Sequence, residues 1–184
     1  PALNGLGTLT FTLAPNANGT IVVSVVAQDN GGTANGGVNT SAPQFFGIVV
    51  TPVNDAPSVS YATNNFVVLE DSGPVGFPGF ATFFLPADEA GQTVTNVAVV
   101  NNNNALFAVQ PGIGLDGSLT FTPAANAFGS AVVSVTAMDN GGTDNGGANT
   151  SVATTFTITV TPVNDAPSFN VAVNPVGVLE DSGA

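Results

Sequence analysis

Residues 1–74 and 111–184 align at a constant offset of 110 with no insertion or deletion, and 45 of the 74 positions are identical. Gly7-Thr-Leu-Thr-Phe-Thr returns as Gly117-Ser-Leu-Thr-Phe-Thr, Asp29-Asn-Gly-Gly-Thr as Asp139-Asn-Gly-Gly-Thr, and Leu69-Glu-Asp-Ser-Gly as Leu179-Glu-Asp-Ser-Gly. A period of this length is domain-sized, so the chain reads as units joined end to end rather than as a solenoid of short repeats. The two copies of Val-Asn-Asp-Ala-Pro, at 53–57 and 163–167, punctuate the pattern and read as linkers. The expected organisation is the C-terminal half of one repeat plus linker (1–57), one complete repeat plus linker (58–167), and the first strand of the next (168–184). The chain then reads as a window on a longer array.

Short runs rich in Val, Phe and Thr recur between Gly, Asn and Pro clusters, and none has a helical period. Strands are expected near 65–70, 76–85, 93–100, 105–109, 117–122, 130–138 and 154–162. The run from Thr154 to Val160 alternates polar and apolar residues, as a half-buried strand requires. Seven short strands in one repeat predict an all-β, Greek-key β-sandwich, Ig-like in the broad sense. Trp and Cys are both absent. The buried Trp and disulfide of antibody domains are therefore excluded, and the core must be built from Phe, Val, Leu and Ile.

Composition removes most functional classes. The chain has no Lys, Arg or His, 12 acidic residues and a formal net charge of −12. Nucleic acid and anionic lipid both need cationic side chains. Ser-His-Asp and Cys-His catalysis need residues that are missing, as does a conventional zinc site. The longest apolar runs are far too short to span a membrane. Asp88 and Glu89, the one adjacent acidic pair in a loop of the complete repeat, do not read as a general acid and base. Neighbouring residues on an extended chain point oppositely, whereas a glycosidase pair faces across a cleft. No enzymatic function is expected. Trypsin has no cleavage site anywhere in the chain.

Eight of the 12 acidic residues fall at four repeated positions: Asp29/Asp139, Asp55/Asp165, Glu70/Glu180 and Asp71/Asp181. With alternating strand direction, Asp139 should sit at the entry end of the complete repeat, beside linker 53–57, together with the loop carrying Asp88 and Glu89. Glu70 and Asp71 should sit at the exit end, beside Asn164 and Asp165. Such gatherings repel unless a cation holds them. Oxygen-only donors suit Ca²⁺, which takes six to eight oxygens in flexible geometry. The Gly-rich loop beginning at Asp139 reads by itself as a flexible hairpin.

These segments resemble cadherins and the bacterial cadherin-like repeats of large surface adhesins. Val163-Asn-Asp-Ala-Pro-Ser-Phe resembles their linker between repeats, Val178-Leu-Glu-Asp-Ser-Gly their glutamate-bearing first strand, and Ala137-Met-Asp-Asn-Gly-Gly their Ala-x-Asp-x-Gly element. The resemblance implies calcium at the junctions, with Asn54, Asp55, Asp88 and Asp139 as ligands at the first and Glu70, Asn164 and Asp165 at the second. The chain departs from the pattern in having Pro52 and Pro162 where an acid precedes the linker, and no acid in 123–128. One or two ions per junction are therefore implied rather than three. The function implied is a calcium-stiffened extender in an extracellular or cell-surface protein, with neighbouring repeats of the same chain as its partners. The alternatives are a filament subunit that self-associates by strand complementation and a homophilic or carbohydrate-binding adhesion module.

Overall fold

The computed structural model describes residues 1–171 together with 177 and 180. Most of the expected strand in 168–184, Asp181 included, lies outside the described residues. The rest is all-β, with only three-residue 3₁₀ turns interrupting the strands.

In the first unit, β1 (Ala2–Leu3) pairs with β2 (Leu9–Thr10), and β3 (Gly19–Val25) with β4 (Gln44–Val50), all antiparallel. The central unit contains β5 (Ser58–Tyr61), β6 (Asn65–Leu69), β7 (Val75–Phe77), β8 (Ala81–Phe84), β9 (Val94–Asn101), β10 (Phe107–Ile113), β11 (Leu119–Pro123), β12 (Gly129–Asp139) and β13 (Thr154–Thr161). One sheet has the order β6-β13-β12-β9, another β10-β11-β7, and β5 pairs with β8. The arrangement is β-sandwich-like, because a single apolar core is shared by residues of both larger sheets.

Alternation explains how that core forms. Ala131, Val133, Val135 and Ala137 occupy one face of β12 and are almost completely buried, as are Phe156, Ile158 and Val160 on β13. Phe80, Leu119 and Phe121 close the core from the other side. Phe80 and Phe156 meet with ring centroids 4.7 Å apart, and Phe66 contacts Phe77, Phe80 and Phe121 edge-on. Each aromatic pair contributes about 0.5–1.5 kcal/mol beyond its area. Tyr61 joins this cluster and hydrogen-bonds Thr154 through its hydroxyl at 2.6 Å.

Two expectations need correction. The single strand expected over 76–85 is two strands, broken at Gly79, whose φ of +66° turns the chain. The turn lets β7 pair with β11 and β8 with β5, and Phe80 drops between them into the core. Ser58–Tyr61, where no strand was expected, forms one. Gly117 sits close to the break: a Cβ there would collide with the Ala81 carbonyl, whose own amide donates to Gly117 O at 2.9 Å.

Topology also fixes the two poles. β12 and β13 form an antiparallel hairpin, so Asp139 and Thr154 lie at one end and Gly129 and Thr161 at the other. β6 runs parallel to β13, with Asn65 opposite Thr157 and Leu69 opposite Thr161. Glu70, directly after β6, therefore arrives beside the chain as it leaves the unit.

Candidate metal centre at the linker

Asp139 is the last residue of the buried row on β12, so the period of two that buries Val133, Val135 and Ala137 carries a carboxylate to the end of the core. An irregularity in the β12–β9 ladder falls between Met138 and Asp139. Bulges of this kind re-aim side chains at functional sites. Asp139 is 3% exposed, and its Oδ1 accepts the Gly141 amide at 2.9 Å.

The linker docks on this end. The Asn54 side-chain amide donates to Asp139 Oδ1 at 3.1 Å, Gly142 O at 3.1 Å and Ala148 O at 2.6 Å. The Asn54 carbonyl accepts the Ala148 amide at 2.8 Å. The Asp55 amide donates to Glu89 Oε1 at 2.6 Å. Close approach depends on glycine: a Cβ on Gly141 would collide with Asn54 Oδ1 and stand 2.5 Å from Gln92 Oε1, and one on Gly147 would press the Asn54 backbone at 3.1 Å.

Every acidic or amide side chain of this cluster has an oxygen left over. Asn54 Oδ1, Glu89 Oε2, Gln92 Oε1 and Asp139 Oδ2 are buried and find no donor within the protein. An unpartnered buried polar atom costs about 1–3 kcal/mol, more if it is charged. Asn54 Oδ1 and Gln92 Oε1 converge on the same side of Gly141. A groove of about 320 Å³, lined by Asn54, Asp88, Glu89, Gln92 and Gly141 among others, connects this end to solvent. Among the described residues no three acidic side chains gather in one place. The donor set is two carboxylates and two amide oxygens, with backbone carbonyls close by. With no nitrogen or sulfur ligand it fits a hard divalent cation.

The residues expected at this junction divide into two groups. Asn54 and Asp139 come together. Asp55 and Asp88 are exposed, and Asp88 Oδ2 faces the first unit, where Asn18 Nδ2 approaches it at 3.4 Å. Asp55 and Asp88 line an adjoining cleft of about 200 Å³ with Asn16, Asn18 and Thr51, and Asp88 borders the Asn54–Glu89 groove as well. The acid that turns inward is Glu89, 8% exposed. Residues Ala87–Glu89 form a 3₁₀ turn, in which consecutive side chains point about a third of a turn apart, so Asp88 and Glu89 cannot share a direction. Gln92 was missed because a neutral amide stands out in no pattern of charge. The loop beginning at Asp139 is the hairpin its glycines suggest, and its second acid, Asp144, is exposed.

At the exit pole Glu70 is 4% exposed. Its Oε1 accepts the Val163 amide at 2.7 Å, its own amide donates to Thr161 O at 2.9 Å, and Oε2 is buried without a partner. Asn164 and Asp165 are exposed, and the Asn164 side chain donates to the Asp165 carbonyl at 3.2 Å. The structure does not bring these two to Glu70 through a side-chain contact.

No protein-family model matches the chain, and neither does any curated protein. No helix among the described residues is long and apolar enough to cross a membrane.

Proposed function

We propose that the chain is a structural extender, a run of cadherin-like or Ig-like Greek-key repeats from a large extracellular or cell-surface protein, stiffened by calcium where one repeat meets the next. One observation carries the reading: four buried oxygens where the linker docks, from Asn54, Glu89, Gln92 and Asp139, have no donor within the protein, in a chain that has no Lys, Arg or His to neutralise them. Calcium bound there would supply the missing positive charge and tie the linker to the unit that follows. Backbone carbonyls and water would complete its six to eight oxygens. Glu70 Oε2 supports a similar role at the exit pole. The parallel β6–β13 pairing, which brings an early strand of the unit beside its last, supports the Greek-key reading.

Thermal and chemical denaturation of the whole chain with chelator and with millimolar calcium tests the proposal. At a hundredfold excess over the dissociation constant, one ion stabilises by about 2.7 kcal/mol. Small-angle scattering should show a longer, narrower particle with calcium. Identical stability and dimensions in calcium and chelator would remove the basis for the reading.

A further inference from the structure

Successive residues of the linker motif are held by different repeats. Leaving the central unit, the Val163 amide is fixed to Glu70 Oε1, so the valine belongs to the repeat that precedes it. Entering the central unit, Asn54 follows the equivalent valine and is fixed to the repeat after it, through its side-chain amide, its carbonyl and the next amide. The two linkers have the same sequence, Val-Asn-Asp-Ala-Pro. Both halves can therefore operate at any junction between two such repeats.

We infer that the junction is a clamp that closes without metal, with the valine held from one side, the asparagine from the other, and only the backbone torsions flanking the planar Val–Asn peptide as the joint. The division of labour among atoms carries this. Glu70 and Glu89 hold the backbone with Oε1 and leave Oε2 free; Asp139 uses Oδ1 and leaves Oδ2; Asn54 uses Nδ2 and leaves Oδ1. The clamp is complete on the first set of atoms, and a cation would draw on the second. The inference stands even if calcium binding fails, because none of its hydrogen bonds uses a spare oxygen. It places the bending point of a repeat array in the φ and ψ torsions on either side of one peptide link instead of spreading it over five linker residues.

Amide hydrogen exchange followed by NMR, on the full chain in excess chelator, tests it. The Asp55, Ala148 and Val163 amides should exchange at least about tenfold more slowly than in an unstructured peptide. Asn54→Ala should return Asp55 and Ala148 to fast exchange while amides of β12 and β13 stay protected. Glu70→Ala should release Val163 alone, and Glu70→Gln, which keeps a carbonyl oxygen, should hold it. Free exchange of all three amides in chelator beside a protected core, with protection restored by calcium, would overturn the inference and leave the metal as the sole fastener. So would unchanged protection of Val163 in a folded Glu70→Ala protein.

Discussion

The loops 29–41 and 139–151 have nearly the same sequence and the same internal bonding, yet only one of them holds a linker. In both, the aspartate Oδ1 accepts the glycine amide two residues on, at 2.8 Å in the first and 2.9 Å in the second. In both, a serine hydroxyl accepts the alanine amide before the aspartate at 2.9 Å. Asn35 and Asn145 take the same left-handed conformation, with φ of 54° and 57°. Asp29 is nevertheless exposed while Asp139 is buried. A Cβ on Gly31 would meet only Asp29, whereas one on Gly141 would strike Asn54. The loop's shape is thus local, and in the central unit Asn54 of the linker fills it. The strands behind the loops differ in the same way. Phe11 and Phe46 are 47% and 37% exposed, against 1% and 2% for their counterparts Phe121 and Phe156, which have a second sheet to pack on.

The largest contrast should come from the core. Phe156→Ala should cost about 3–5 kcal/mol in chemical denaturation, while Phe46→Ala should cost about 1 kcal/mol or less; equal costs would mean that the first unit is packed in solution. Next comes calcium. Asp139→Asn should abolish the calcium-dependent gain of about 2.7 kcal/mol expected at a hundredfold excess, and Asp29→Asn should leave it intact, both read as melting shifts. Gly141→Ala should cost about 1–3 kcal/mol, because Asn54 must be displaced from a packed site; Gly31→Ala should change stability by only about 0.5 kcal/mol or less. The smallest effect should be shared. Asn35→Ala and Asn145→Ala both lose a side chain suited to the left-handed region, at about 1 kcal/mol each for the unit concerned. A clear difference between them would show that the linker, and not the loop itself, sets that conformation.

Local chemistry was legible in advance. The period-two run of Thr154–Thr161, the hydrophobic row of β12 and the turn glycines each encode their own conformation, so the positions of β12 and β13 and the pole at which Asp139 lies follow from them. The break at Gly79 was not legible, because an isolated glycine in an apolar run is equally consistent with a continuous strand. Only the choice of β11 and β5 as separate partners for β7 and β8 resolves it.

The repeat, its linkers and the absence of every cationic and sulfur-bearing side chain that could serve nucleic acid, zinc or acyl-transfer chemistry are properties of the sequence alone. They survive any folding, because they concern what the chain contains. Which oxygens are buried and left without a donor is decided by the tertiary structure. That Glu89 turns inward and Asp88 outward, that neutral Gln92 joins them, and that Asn54 spends its amide and keeps its carbonyl oxygen all depend on atoms from distant segments meeting in one place. Desolvation of a polar atom is a property of its surroundings, and no single residue carries it in its name.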